Sequence, residues 1–288
     1  MATLLDTHKQ FIDYLKERSR ASTTILAYGK DIEQLISHLA AVGKTEPNQA
    51  ALEDLQAFME DLVKKNYTAK SISRKTNSTK TFFRYLKTQG LITEDPAGGL
   101  EHPKFENKPP RVLSKTEYRA LRDAARGDKR IFAVIELLLQ TGIRIGELAH
   151  LRIEDLVLEN DTTLHVPPFE GTRERTIPLN AAAAEAVTRY LEIRAKSANH
   201  TLFVTKTGRP LLVRNIRAAI DRYFRIAGIK EARVNDLRHT WVAHQLQAGT
   251  SLVVVSKLAG HKRLSTTEKY LQYIQGNNGS SKVKLEEL

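Results

Sequence analysis

Four side chains in three separated segments of the chain have the types that phosphoryl transfer requires. They are Arg144, Arg238, His261 and Tyr270. Arginines stabilise the charge that develops on a five-coordinate phosphorus, a histidine donates a hydrogen bond or handles a proton, and a phenolate attacks. The sequence contains no cysteine, which excludes disulfides, thiolate metal sites and thiol nucleophiles. Together the four residues predict metal-free phosphoryl transfer with Tyr270 as the nucleophile.

Taken singly, each residue has a simpler interpretation. Arg144 follows a glycine-containing break, so it is placed in the opening turn of a helix, where free backbone amides would help it to bind a phosphate. It could equally be a surface arginine paired with Glu147. His261 alone would more often be a helix cap or a surface residue, and Tyr270 alone a core residue. Tyr273, one helical turn further on, is a weaker candidate nucleophile.

The overall charge favours a polyanionic partner. The formal net charge is +12, with 45 Lys and Arg against 33 Asp and Glu. Basic side chains that neutralise phosphates release condensed counterions, so nucleic acid is the leading candidate. The alternative is that the excess charge serves solubility alone, and charge does not separate DNA from RNA.

The first hundred residues have helical spacing of apolar residues and predict a small all-helical bundle. The predicted helices are Leu4–Leu15, Thr24–Leu39, Leu52–Leu62 and Ile72–Leu86. The last of them has a basic side, which we expect to contact DNA, although such a side is more often only solvated. Its candidate DNA-binding residues are Lys70, Arg74, Lys75, Lys80 and Arg84.

A proline-rich, charged stretch, EHPKFENKPPR, divides the chain. We expect a first domain over residues 1–101, a linker over 102–113, a second domain over 114–275 and a tail over 276–288. The second domain is predicted to start with a capping box at Ser114 and Glu117.

Within the second domain the pattern is mainly helical, with one small β-hairpin. The predicted strands are Thr163–Pro167 and Arg175–Leu179, separated by a polar turn at Glu170-Gly171-Thr172. The predicted helices are a first one from the Ser114 cap through Arg126, followed by Arg130–Gln140, Ile145–Leu151, Ala181–Lys196, Arg214–Ala227, Leu237–Ala248, Leu252–Leu258 and Thr266–Ile274. The fold class is therefore mainly α, with a helical bundle followed by a mixed α/β domain.

No apolar run in the sequence reaches the roughly 18–20 residues that a membrane span needs, and the N-terminus lacks the order of a signal peptide. We expect a protein of the cytoplasm with no membrane partner.

At this point the three segments resemble the tyrosine recombinase (phage integrase) family, and the small size resembles its Xer-like members. TGIRIGEL matches the box TGxRxxEL, which assigns Arg144 as the first catalytic arginine and Glu147 as its structural neighbour. The stretch from Asn235 to His239 matches four positions of the box HxLRH and assigns Arg238 as the second arginine.

The third box and the N-terminal region extend the resemblance over almost the whole chain. AGHKRLSTTEKY matches LGH followed by TTxxY, with the family's nine residues from His261 to Tyr270. The N-terminal bundle resembles the family's SAM-like core-binding domain, and STTILAYGKDI at Ser22–Ile32 is typical of its start. Spaced boxes of this kind are specific.

Two positions depart from the family pattern. Asn235 stands where the box has histidine, so it can donate a hydrogen bond to a phosphate but cannot shuttle a proton. The family hairpin GKGxKxRxxPL reads FEGTRERTIPL here, which places Glu170 at the position of the catalytic lysine. A carboxylate beside the scissile phosphate would be repelled, so either Glu170 points away or a neighbour, first of all Arg173, replaces the lysine.

The resemblance implies a site-specific recombinase that attacks DNA through Tyr270, forms a 3′-phosphotyrosyl link and releases a 5′-hydroxyl. It implies a tetramer on two double-stranded DNA sites, with no ATP or nucleotide cofactor, and the sequence has no GxxxxGK[ST] phosphate loop. The tail 276–288 resembles a segment that docks on a neighbouring subunit, with Lys282–Leu288 as a short helix; a disordered end is the alternative.

Two rival functions remain at this level: a type IB topoisomerase-like DNA relaxing activity, and a DNA-binding protein of the same fold with weak or lost catalysis. The sequence does not reveal the DNA site, the biological role, or whether an accessory protein or partner recombinase takes part.

Overall fold

The computed structural model describes residues 3–104, 106, 109–159 and 161–273. The chain divides into two units, Met1–Asn107 and Lys108–Leu288, and this division falls inside the predicted linker. The predicted tail 276–288, with its proposed docking helix, lies outside the described residues. Over the described ranges, no helix has the length and apolar character that crossing a membrane requires.

The first unit is a bundle of four helices around one apolar core. They are α1 (Leu4–Glu17), α2 (Ser22–Ala41), α3 (Leu52–Lys64) and α4 (Ala69–Thr88). Thr3 forms a capping box with Asp6 at the start of α1, and Thr68 caps α4. Each predicted helix is present, because the apolar residues at helical spacing all face a shared core.

The basic side of α4 does not lie entirely at the surface, and the prediction for Lys75 is corrected. Its side chain is 4% exposed, and its Nζ donates to Asp31 Oδ1 at 2.8 Å and to the Gln34 side chain. Arg74 also donates to Asp31, and so does the Ser78 hydroxyl at 3.1 Å. Lys75 is therefore a core residue that neutralises a buried carboxylate, because it lies on the same side of α4 as Ile72 and Phe82.

In its described residues the second unit contains eight α-helices, a short 3₁₀ helix at Ile153–Asp155 and one small sheet, and residues 271–273 are helical as well. The helices are α5 (Lys115–Ala125), α6 (Lys129–Thr141), α7 (Ile145–His150), α8 (Ala181–Leu191), α9 (Val213–Ile226), α10 (Val234–Gln247), α11 (Leu252–Ala259) and α12 (Ser265–Glu268). The strands are β1 (Leu156–Val157), β2 (Thr163–Val166) and β3 (Arg175–Pro178). The capping box predicted at Ser114 and Glu117 is confirmed.

The sheet is antiparallel in the order β1-β2-β3, so the predicted hairpin gains one short strand. Leu164 pairs with Ile177 and Val166 with Arg175. Along β3, Arg175 and Ile177 are buried, while the residues between and after them are exposed. This alternation directs the Arg175 side chain inward, beneath the sheet.

The predicted helix Thr266–Ile274 differs in the structure. α12 ends at Glu268, Tyr270 lies in a turn, and residues 271–273 are helical again, while Ile274 lies outside the described residues. The Tyr270 amide bonds to the Thr267 carbonyl at 3.0 Å, three residues back, in place of the four-residue spacing of an α-helix. The shorter spacing tightens the chain here and fixes the direction of the Tyr270 side chain.

The second unit has a main core and a smaller apolar cluster that contains Tyr270. Trp241, Val242, Val255 and Ala259 belong to this cluster. Gly142, which ends α6 with a φ of +63°, also packs against the Trp241 ring. A Cβ built there would lie 2.3 Å from a ring carbon, so both the backbone conformation and the close approach require glycine.

Candidate active site

The candidate site is organised around the carboxylate of Glu147, whose side chain is fully buried. Arg175 holds it with two hydrogen bonds, at 3.1 and 2.7 Å, and also donates from Nε to the Leu258 carbonyl at 2.7 Å. Burial opposes ionisation of Glu147, but the hydrogen bonds from Arg175 and from the Arg144 amide outweigh it and lower its pKa. Glu147 is therefore an anion that fixes the surrounding guanidinium groups.

Arg144 extends from the start of α7 across to the end of α11. It donates to Glu147 Oε1 at 3.1 Å and to the Gly260 carbonyl at 2.9 Å. Its own amide donates to Glu147 Oε2 at 2.8 Å, so this amide of the opening turn is occupied by a side chain of the same helix. The predicted pairing with Glu147 is present, but Glu147 is a buried partner. The Arg144 side chain remains 34% exposed, so it can still meet a ligand.

Arg238 approaches from α10 and is 6% exposed. Its described hydrogen bond goes to the Gly142 carbonyl, two residues before Arg144. Burial, and then the positive charge of Arg144, lower the pKa of Arg238. A bound phosphate would stabilise both guanidinium groups, because their two positive charges lie close together.

His261 follows the left-handed Gly260 that ends α11. Its Nδ1 lies 2.7 Å from the Thr267 hydroxyl, which orients the ring. Burial, followed by the charges of Arg238 and Arg144, lowers the pKa of His261 to about 3. The ring is therefore neutral at neutral pH and stands close to both arginines.

Tyr270 lies beside two histidines. Its ring is parallel to that of His261, with 6.4 Å between the ring centroids, and its hydroxyl forms a hydrogen bond with His239 Nδ1. The side chain is 3% exposed, and burial raises the pKa of Tyr270 to about 12, although Arg238 acts in the opposite direction. The Tyr273 hydroxyl instead donates to the Pro110 carbonyl, away from these groups.

The structure thus places Arg144, Arg238, His261 and Tyr270 around one point. Asn235, at the family's histidine position, is exposed at the start of α10 and its Nδ2 lies 2.7 Å from His239 Nε2. The roles assigned to these residues stay predictions, but their convergence is a property of the fold.

The hairpin turn bounds an open pocket beside this cluster. Glu170 and Gly171 have φ values of +44° and +78°, as in a type I′ turn. Glu170 is exposed at the tip, whereas Arg173, His261 and Lys262 line the pocket. A Cβ built on Gly171 would lie 3.0 Å from Lys262 Nζ, so an ammonium group stands directly at the turn.

Three residues of the site were not singled out from the sequence. Arg175 was detectable, since it alternates in phase with buried Ile177. His239 was also detectable, because it stands four residues after Asn235 on one side of α10. No sequence pattern marks Lys262, because it meets Gly171 only through the folding of two segments that are distant in the chain.

Comparison with known proteins agrees with this geometry. The family described as "Phage integrase family" matches residues 111–275, and "Phage integrase, N-terminal SAM-like domain" matches residues 8–90. The chain belongs to the phage integrase family. The predicted fold class, with its SAM-like bundle and small sheet, and the predicted enzyme class of tyrosine recombinases are confirmed.

Two curated relatives of this phage integrase family member match along most of its length. "Tyrosine recombinase XerC" of Bacillus subtilis (strain 168) is 30% identical over 275 residues, covering 91% of this chain and 90% of the relative. "Tyrosine recombinase XerC" of Thermodesulfovibrio yellowstonii is 30% identical over 274 residues, covering 90% and 89%.

Solved structures share the fold at lower identity. The Tn1549 transposon integrase in complex with transposon right end DNA has a TM-score of 0.78 and 19% identity, covering 93% of this chain and 94% of that one. The XerH site-specific recombinase bound to palindromic difH substrate has a TM-score of 0.75 and 19% identity, covering 88% and 77%.

Proposed function

We propose that this family member cuts and rejoins double-stranded DNA at specific sites through a covalent link to Tyr270. The observation that carries the proposal is the convergence of Tyr270 with Arg144, Arg238 and His261. Tyr270 Oη attacks a DNA phosphodiester, a 3′-phosphotyrosyl link forms and the 5′-oxygen departs. The 5′-hydroxyl of a second strand then reverses the step, so the bond energy stays in the covalent intermediate.

Each surrounding group has a role in this step. Arg144 and Arg238 stabilise the negative charge on the nonbridging oxygens, because their guanidinium groups carry the positive charge that Glu147 alone does not offset. Neutral His261 donates a hydrogen bond to the same phosphate. Glu147 and Arg175 hold the arginine framework in place.

The departing 5′-oxygen needs a proton donor. Glu170 occupies the exposed tip of the hairpin, and Arg173 is a poor donor because a guanidinium holds its proton too strongly. Lys262 lines the same pocket and its ammonium lies against the turn, so we assign it this role ahead of Arg173.

The family supports a DNA partner, and the proposal extends to the assembly. Relatives with solved structures include integrases and recombinases bound to DNA. We propose that Lys70, Arg74, Lys80 and Arg84, on the outer side of α4, contact DNA phosphates, and that recombination proceeds in a tetramer on two sites. A topoisomerase-like or non-catalytic function is not favoured, since the curated relatives are named recombinases.

Covalent trapping tests this function. Nicked suicide DNA substrates made from candidate sites that the protein binds are incubated with wild type, Tyr270→Phe and Tyr273→Phe, and separated on denaturing gels. We expect a slower-migrating adduct with wild type and Tyr273→Phe but not with Tyr270→Phe. No adduct on any bound site would favour the DNA-binding, non-catalytic function.

A further inference from the structure

The hydroxyl of Tyr270 has a hydrogen-bond partner in His239, the last residue of the HxLRH box, to which the sequence analysis assigns no role. The two ring centroids are 5.7 Å apart, and the hydrogen bond joins Oη to Nδ1. His261, the histidine that the box supplies, directs its described hydrogen bond to Thr267 instead. His239 is therefore the imidazole that contacts the attacking atom.

The ring of His239 is held from its other side as well. Asn235 Nδ2 lies 2.7 Å from Nε2, one helical turn earlier on α10. A contact at each ring nitrogen fixes the orientation of the ring, and the orientation of the Asn235 amide selects its tautomer. A half-turn of the amide would present Oδ1 to Nε2–H, which leaves Nδ1 free to accept the Tyr270 proton.

Burial and the charge of Arg238 keep the His239 ring neutral. Arg238 on the same helix, with His261 and Tyr270 from the segment after α11, are the titratable groups close to it. Burial, and then the charge of Arg238, lower the pKa of His239 to about 4. A neutral imidazole can accept a proton, whereas an imidazolium cannot.

We propose that His239 accepts the proton of Tyr270 during DNA cleavage and returns it during strand joining, with Asn235 as the residue that positions its ring. This inference rests on the proposed function and assigns one further catalytic residue to it. As the Oη–P bond forms and the P–O5′ bond breaks, the Oη proton moves to Nδ1.

The proton transfer is favourable only as bonding to phosphorus proceeds. Burial raises the pKa of free Tyr270 to about 12, so a resting phenolate is scarce. In the transition state the phenol oxygen becomes an ester oxygen and loses its basicity, and His239 then takes the proton. The departing 5′-oxygen takes its proton from a different donor, which we assign to Lys262.

Two DNA substrates separate these roles: one with a normal phosphate at the cleavage position, and one with sulfur as the bridging 5′ atom. A thiolate leaves without a proton, so the sulfur substrate removes the need for a donor to the leaving group but not for a base at Tyr270. Single-turnover cleavage is measured for wild type, His239→Gln, Asn235→Leu, Lys262→Ala and the control His244→Gln. His244 is exposed on the same helix α10.

We expect His239→Gln to lower the cleavage rate by about 10²–10⁴-fold on both substrates. Between about pH 7 and 9 its rate should rise close to tenfold per unit, because phenol ionisation replaces the base, while wild type changes much less. Asn235→Leu should show a smaller loss with the same pH trend. Lys262→Ala should lose activity on the oxygen substrate only, and His244→Gln should match wild type. Thermal unfolding and DNA-binding assays establish that each variant is folded and binds.

Three outcomes would overturn the inference. The first is a cleavage rate for His239→Gln equal to that of wild type. The second is a loss of rate that does not change with pH, and the third is a loss of rate that is absent on the sulfur substrate. The absence of an adduct with wild type itself would instead overturn the proposed function, so the two failures are distinguishable.

Discussion

Each unit of the molecule contains a carboxylate buried beneath several basic side chains, and the two clusters differ in the positive charge that remains. In the first unit, Asp31 is 2% exposed and accepts hydrogen bonds from Arg74, Lys75 and Ser78. The Lys75 ammonium also reaches Gln34, and its side chain is 4% exposed. This cluster uses its charges to hold α2 against α4.

In the second unit, Glu147 bonds to Arg144 and Arg175, while Arg238 is buried nearby and donates to a backbone carbonyl. Three guanidinium groups therefore surround one carboxylate. Their excess charge is adjacent to Tyr270, and Arg144 remains partly exposed. Burial of a basic residue therefore does not distinguish a structural cluster from a functional one. The distinguishing feature is positive charge that no carboxylate compensates and that lies beside a nucleophile.

Neutralising each carboxylate in turn should have the largest effect and should distinguish the catalytic cluster from the structural one. Glu147→Gln should lower the single-turnover cleavage rate by about 10²–10³-fold, because Arg144 loses its fixed position. Asp31→Asn should cost about 3–5 kcal/mol of unfolding free energy, because the buried Lys75 ammonium loses its anionic partner and keeps only its bond to Gln34, while the single-turnover cleavage rate of folded, DNA-bound protein stays unchanged. Urea unfolding and suicide-substrate cleavage measure both. A cleavage defect in folded Asp31→Asn would contradict the distinction.

A second, smaller effect concerns acid stability. The folded-state pKa of Glu147 lies below its ordinary value of 4.5, so its ionisation stabilises the fold above that pH, and this contribution is lost as the pH falls through the lowered pKa. We expect the unfolding free energies of wild type and Glu147→Gln to approach each other as the pH falls below about 4. Urea midpoints measured across this range test the prediction. A difference between the two proteins that stays constant with pH would show that Glu147 is not the titrating group.

The smallest expected effect concerns the outer side of α4. Arg84 is exposed, whereas Lys75 is not, so only Arg84 can release a counterion on binding a phosphate. Arg84→Gln should reduce the slope of log K against log salt by about 0.9 for DNA binding. Fluorescence anisotropy over a salt series measures it. An unchanged slope would remove Arg84 from the proposed DNA surface.

The sequence was sufficient to predict most helices and to single out the four site residues that converge in the structure. The apolar spacing in α1 to α4 matches a shared core, and the three boxes mark Arg144, Arg238, His261 and Tyr270. The charge of Lys75 alone predicts a surface position, whereas its place on the same side of α4 as Ile72 puts it in the core.

Other features depend on contacts between distant segments. The two-residue strand β1 is too short to show an alternating pattern, and it exists because it pairs with β2. The turn that carries Tyr270 arises from a three-residue hydrogen bond within a sequence that also suits a helix. The contact between His239 and Tyr270 spans 31 residues, so neither spacing nor composition could show it.

The most direct test is to locate the covalent bond itself. The trapped adduct is digested with nuclease and trypsin, and the peptide that starts at Tyr270 is fragmented in a mass spectrometer, since it also contains Tyr273. We predict a phosphate or nucleotide remnant on Tyr270. A remnant on Tyr273, or on any other residue, would contradict the assignment of Tyr270 as the nucleophile.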